Sequence, residues 1–158
     1  MQYRRKREGR TDYKKRLVLL KSGLPRLIIR ASNKSMQAQL ATYEADGDKI
    51  IATVHATELK KHGWNLSTGN LPAAYLTGML LAQKAKKANI TDDVIIDIGL
   101  QKHHKGGRLY AVAKGAIDGG LKVRVGEDVL PTEERVSGAH IDEKIAAHLN
   151  TVKTKLMK

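Results

Sequence analysis

Between Asn70 and Lys87 the residues Leu71, Ala74, Tyr75, Gly78, Leu81, Ala82 and Ala85 recur at helical spacing, with Leu76, Met79 and Leu80 widening the stripe. A stripe this wide must be covered, so the helix has to lie against a larger apolar surface. Asn70 is placed to cap its start, and Pro72 falls in the first turn, where no intrahelical N–H is needed. Lys84, Lys86 and Lys87 suit the negative C-terminal end. Gly78 costs about 1 kcal/mol relative to Ala inside a helix, an expense that close approach to a sheet would offset.

The preceding residues supply such a sheet. After Pro25, Leu27, Ile29 and Ala31 alternate with Arg26, Ile28, Arg30 and Ser32, which predicts a strand with one partly basic face. Met36 to Glu44 and Lys49 to Thr57 also read as strands, joined through Asp46-Gly47, so the three form an antiparallel meander. Val94 to Ile98 lacks alternation, as expected of a central strand covered by helices on both faces. Arg108 to Asp118, stopped by Gly119-Gly120, supplies the helix for the second face. Leu121 to Val125 reads as a further short strand. Ile141, Ile145, Leu149, Val152 and Leu156 form a narrow stripe on a C-terminal helix that docks on the body or on a partner. The fold class expected is α/β, a three-layer α/β/α arrangement with a mixed sheet. Its division is an N-terminal arm with a short helix (1–22), a body (23–138) and a C-terminal helix (139–158).

The arm cannot belong to that core. Arg4, Arg5, Lys6, Arg7, Arg10, Lys14, Lys15 and Arg16 crowd into sixteen residues with only Glu8 and Asp12 opposed, and Tyr3 and Tyr13 are interleaved. Such a cluster repels itself and is expected to stay disordered until it meets a polyanion. The tyrosine faces can stack on unpaired bases; a solvated basic tail is the competing reading. Thr11 or Asp12 suits the N-cap of a short helix through Leu17 to Leu20, and Gly23 its C-cap.

The whole chain carries 29 Lys and Arg against 16 Asp and Glu, a formal net charge of +13, which calls for an acidic partner. A membrane is the weaker choice, because the apolar run Leu17 to Leu20 stops at Lys21; a soluble intracellular protein with no membrane partner is expected. With no cysteine, disulfides, thiolate zinc sites and thiol nucleophiles are excluded. Two further basic groups follow: Arg26, Arg30, Ser32, Asn33 and Lys34 on the first strand and its turn, and Lys102, His103, His104, Lys105 and Arg108 in a glycine-containing loop. The same composition recurring three times favours one extended anionic partner. No carboxylate at ligand spacing joins the adjacent histidines, so no metal site is expected there. Trp64 is suited equally to stacking on a base or closing the core.

The one enzyme-like signal is Val94-Ile-Ile-Asp97-Ile-Gly99, which resembles the first strand of ribonuclease-H-like nucleases and actin-like ATPases. Two-metal chemistry needs further converging carboxylates. Asp92 and Asp93 read as turn residues, Asp118 ends a helix, and no phosphate-cradling turn follows Gly99. Neither an enzyme, nor a cofactor, nor a small-molecule substrate is expected.

Four segments in order carry a resemblance: Arg4-Arg-Lys-Arg-Glu-Gly-Arg-Thr-Asp-Tyr13, Pro25-Arg-Leu-Ile-Ile-Arg-Ala-Ser-Asn33, Asn70-Leu-Pro-Ala-Ala-Tyr-Leu-Thr-Gly-Met-Leu-Leu-Ala82 and Lys114-Gly-Ala-Ile-Asp-Gly-Gly-Leu121. Together they closely resemble the archaeal and eukaryotic branch of the ribosomal L-eighteen family, whose eukaryotic members are called L-five. The resemblance runs from about Tyr3 to about Ile141. It implies a ribonuclease-H-like body without nuclease activity, placed in the cytoplasm within the large ribosomal subunit. It also implies binding to 5S rRNA, attachment to 23S rRNA at the central protuberance, and neighbouring large-subunit proteins including L-five in the bacterial and archaeal naming. The family's RNA contacts would fall on Arg4 to Arg7, Arg10, Tyr13, Lys14 to Arg16, Arg26, Arg30, Ser32, Asn33 and Lys34. The Lys102 to Arg108 loop is added on charge alone. A metal-dependent nuclease centred on Asp97 and a free-standing RNA chaperone are the rival functions.

Overall fold

The computed structural model describes residues 2–157. Two helical pieces, α1 (Arg4–Arg7) and α2 (Tyr13–Leu20), precede a sheet built from β1 (Arg26–Ala31), β2 (Met36–Thr42) and β3 (Lys49–His55). These three strands pair antiparallel, as their alternation predicts. β2 and β3 end two residues earlier than expected because the hairpin turn takes Tyr43 to Asp48 and a 3-10 segment, Ala56–His62, starts directly after β3. Gly47, at φ +145°, supplies a backbone conformation in that turn that other residues rarely adopt. After α3 (Leu71–Lys87) comes β4 (Val94–Asp97), parallel to β1; after α4 (Arg108–Asp118) comes β5 (Val123–Arg124), parallel to β4. The sheet is mixed, in the order β3-β2-β1-β4-β5.

The N-cap of α3 falls where the sequence puts it: Asn70 accepts a hydrogen bond from the Ala73 N–H at 3.0 Å. Its neighbour differs from expectation. α3 packs on β2 and β3, α4 packs on β1 and β5, and the two helices lie side by side on one face of the sheet. A Cβ built on Gly78 would run into the Val112 carbonyl oxygen, and one on Gly115 into the Tyr75 carbonyl oxygen. Gly78 thus serves close approach to α4, and the expected close approach to the sheet is corrected; α4 likewise does not cover the second face. The physical reason is reciprocity: Gly78 on one helix and Gly115 on the other let the backbones touch, and a stripe of small residues does not reveal which partner it will meet.

Leu27, Ile29, Ala38, Leu40 and Val54 point into the core formed with these helices. On the opposite face the outer layer is the arm: Arg16 of α2 bonds Asp48, and Lys15 Nζ donates to the Gly99 carbonyl at 3.1 Å. Layering is therefore helix pair, mixed sheet, arm helix.

Beyond β5, α5 (Glu133–Ser137) and α6 (Glu143–Met157) complete the chain. α6 buries Ile145, Leu149, Val152 and Leu156 against α3 and the 3-10 segment, so this helix docks on the body. Ile141 precedes the helix and is exposed. Trp64 is fully buried beside α6, with its Nε1–H donated to the Ser67 carbonyl at 3.1 Å, which resolves its two sequence readings in favour of the core. Among the described residues no helix is long and apolar enough to cross a membrane.

Candidate nucleic-acid interface

The arm is ordered by the few residues that oppose its charge. Asp12 caps α2, accepting from the Lys14 and Lys15 N–H groups at 3.0 and 3.1 Å. Glu8 draws in Arg4 at 2.7 Å and Arg10 at 3.1 Å, while Arg5 Nε donates to Thr11 at 2.9 Å. Tyr3 and Tyr13 stack with ring centroids 5.4 Å apart. The expected disorder is thus replaced by a folded-back arm, because Glu8 sits within a turn of both arginines and lowers their mutual repulsion. Lys6, Arg7 and Lys14 are exposed and form no ion pair among the described residues.

Between α2 and the outer face of the sheet lies a cleft of 790 Å³, lined on one side by Arg5, Arg10 and Arg16 and on the other by Arg26, Ile28 and Arg30. Alternation along β1 puts Arg26 on this basic face, but the structure buries it, leaving 1% exposed. Its Nη1 donates to Asp97 at 3.0 Å, and its Nη2 stands 2.5 Å from Asp48. That second approach is an ionic contact without hydrogen-bond alignment, and Nε has no partner. Arg16 Nη2 donates to both oxygens of Asp48, at 2.9 and 3.0 Å. Arg30, still part-exposed, is held by the Ile29 and Asp97 carbonyls at 2.8 and 2.9 Å. Burial pushes the Asp48 carboxyl up, but the Arg26 and Arg16 guanidiniums outweigh it and hold the group below its usual range. Three guanidiniums over two carboxylates leave the cleft floor net positive.

Asp97, the residue behind the enzyme-like signal, accepts from Arg26 and from the Gly99 N–H at 2.9 Å. Its neighbours in a two-metal centre are missing: Asp93 pairs with Arg124 at 2.7 Å, and Asp118 accepts from Tyr75. Among the described residues no three His, Cys, Asp or Glu side chains are arranged to hold a metal.

The β1–β2 turn meets the Lys102 to Arg108 loop across about seventy residues of sequence. Ser32 and Asn33 share a 290 Å³ groove with Lys102, His104 and Arg108. Arg108 ties the two loops together by donating to the Ser32 and Gly69 carbonyls, each at 3.0 Å. Lys105 pairs with Asp128 at 2.8 Å, and His103 bonds the Tyr110 hydroxyl, so the adjacent histidines serve different neighbours. Lys34 is exposed beside them.

Sequence reasoning missed two organising residues, Asp48 and Gln101, and gave Glu8 only as an opposing charge without its partners. Gln101 takes the Ala31 N–H at 3.0 Å and reaches the Ile29 carbonyl, extending the edge of β1. It lines both the cleft and the groove and so stands at the border between them. No local pattern marks these residues, since their partners are distant in sequence or, for Glu8, hidden within a cationic run.

The chain is similar to known proteins over most of its length. A family model described as "Ribosomal large subunit proteins 60S L5, and 50S L18" matches residues 1–95. The "Large ribosomal subunit protein uL18" of Methanoregula boonei is 48% identical over 88% of this chain and 79% of its own length. Proteins of the same name from Haloarcula marismortui and Korarchaeum cryptofilum are 47% and 48% identical, each over 89% of this chain and over 74% and 72% of their own lengths.

Proposed function

The chain belongs to the family of large-subunit ribosomal proteins L5 and L18, and from that premise we propose that it binds 5S rRNA and helps attach it to 23S rRNA in the central protuberance. The supporting observation is that Arg5, Arg10, Arg16, Arg26 and Arg30 line one cleft, Lys102, His104 and Arg108 line the neighbouring groove, and Gln101 borders both. Phosphates meet Arg4, Arg5, Lys6, Arg7, Arg10, Lys14, Lys15 and Arg16 first, and the turn with Ser32, Asn33 and Lys34 fixes register. Arg26 acts from below, holding the two carboxylates that orient Arg16 and Arg30. Tyr13 offers a ring face for an unstacked base. Ribosomal protein L-five, in the archaeal naming, is the proposed protein neighbour. The action is assembly by charge neutralisation and shape, without turnover.

Competition between 5S rRNA and a length-matched structured RNA at physiological salt tests this. Selective retention of 5S rRNA without cleavage is the expected result. Equal affinity for both RNAs would favour a chaperone, and magnesium-dependent cleavage lost in Asp97→Asn would favour a nuclease. Contact with roughly eight phosphates predicts a log–log salt slope of about −6 to −7.

A further inference from the structure

The arm is occupied by partners from its own chain at the groups an RNA would engage. Tyr3 and Tyr13, whose faces suit bases, cover each other at 5.4 Å. Glu8 holds Arg4 and Arg10, and Asp48 holds Arg16 with both oxygens. Apart from the Ser22–Leu24 contact at the junction itself, the side-chain hydrogen bonds from the arm to the body among the described residues are those of Arg16 to Asp48 and Lys15 to the Gly99 carbonyl. We propose that the free protein keeps its arm closed, latched on the sheet by Arg16–Asp48 and folded back through Glu8 and the tyrosine pair, and that RNA binds by displacing these internal stand-ins. The proposal rests on the RNA-binding reading above.

The latch is built to open. Asp48 is shared: when Arg16 leaves for a phosphate, Arg26 remains 2.5 Å away, so the part-buried carboxylate keeps an ionic partner. The ion pairs of Glu8 are on the surface, where each contributes little and yields to a partner offering many phosphates at once. Until such a partner arrives, two carboxylates mask three of the arm's arginines. A short or weakly charged anion gains less than it must displace, which restrains indiscriminate binding.

Asp46 provides the control. It lies in the same hairpin as Asp48, is exposed, and forms no ion pair among the described residues, so Asp46→Asn makes the same charge change without touching the latch. Amide exchange of α2 in the free protein and association kinetics with 5S rRNA are measured for wild type, Asp48→Asn, Glu8→Gln and Asp46→Asn. Relative to Asp46→Asn, Asp48→Asn is expected to exchange the α2 amides about two- to fivefold faster and to associate faster by a similar factor. Glu8→Gln, which alters only the arm, is expected to speed association as well, and it carries the test should Asp48→Asn disturb Arg26 and the body. Identical behaviour of all three variants in exchange and association overturns the closed arm. Failure of the wild type to prefer 5S rRNA over a length-matched RNA overturns the RNA reading instead, while exchange in the free protein still reports whether the arm is latched.

Discussion

Tyr75 donates its hydroxyl to Asp118 at 2.6 Å, joining α3 to the last residue of α4 across the helix pair. The ring is buried, and Lys153 of α6 lies 5.5 Å from its centre, so three helices meet at this residue. Burial and the Asp118 carboxylate both push the phenol well above its ordinary value.

Tyr75→Phe is expected to lower stability by about 1–3 kcal/mol, because Asp118 loses a partner while the ring packing stays. A reduced urea midpoint with an unchanged slope checks this. The raised phenol pKa also sets a direction with pH. Below the ordinary value of 10.0 the hydroxyl contributes in full; above it the unfolded chain ionises first, and the contribution is lost as pH rises. The difference between wild type and variant therefore narrows at alkaline pH.

Gly78→Ala and Gly115→Ala each place a methyl group into a carbonyl of the facing helix. On an exposed helix the change would stabilise by about 1 kcal/mol; here overpacking reverses the sign and costs about 3 kcal/mol. Thermal melts of both variants read this directly, and an increase in melting temperature would contradict the backbone contact between the helices.

Asp97→Asn is expected to destabilise by about 3 kcal/mol, since Arg26 is buried and loses one of its two carboxylates. Unfolding by denaturant measures it. Replacing Arg26 and Asp97 together by Met and Leu should cost less than Asp97→Asn alone, because the desolvated charge leaves with its partner.

Acid should loosen two tertiary ties. Burial raises the Glu58 carboxyl, but Lys84, the His55 N–H and Lys61 outweigh it, and the group titrates below 4.5; Asp48 likewise titrates below 3.8. Both carboxylates are charged in full above those values, so their contribution is present there and disappears as pH falls through the folded-state pKa. Glu58→Gln and Asp48→Asn are each expected to flatten the acid limb of a stability–pH curve.

Arg4, Arg5 and Arg7 changed together to Ala should weaken 5S rRNA binding and reduce the salt slope by about 2–3, with little change in melting of the free protein. An unchanged slope would mark the arm as a passive tail.

Much of the fold was legible because its signals are local. Alternation marks β1 through Leu27 and Ile29, helical spacing marks α3 and α4, and Asn70, Asp12 and the Asp46-Gly47 turn mark boundaries; each depends on residues within a few positions. The short 3-10 segment after His55 and the five-residue α5 escaped, being too brief to show a period. At the site, the basic segments were visible one by one, but their joining through Gln101 was not, because its bonds to Ile29 and Ala31 span seventy residues.

By itself the sequence determined the elements, the wide apolar stripe that needs a cover and the positive charge, since composition and short-range periodicity suffice for these three, and its four ordered segments carried the family resemblance. Tertiary structure decided that α3 and α4 share one face of the sheet, that the arm lies on the other, and that Arg26 is buried while Arg30 is not. Those outcomes depend on which surfaces meet. A small residue permits close approach without naming its partner, and an arginine on a strand is free or buried according to whether a distant carboxylate, here Asp48 or Asp97, arrives to meet it.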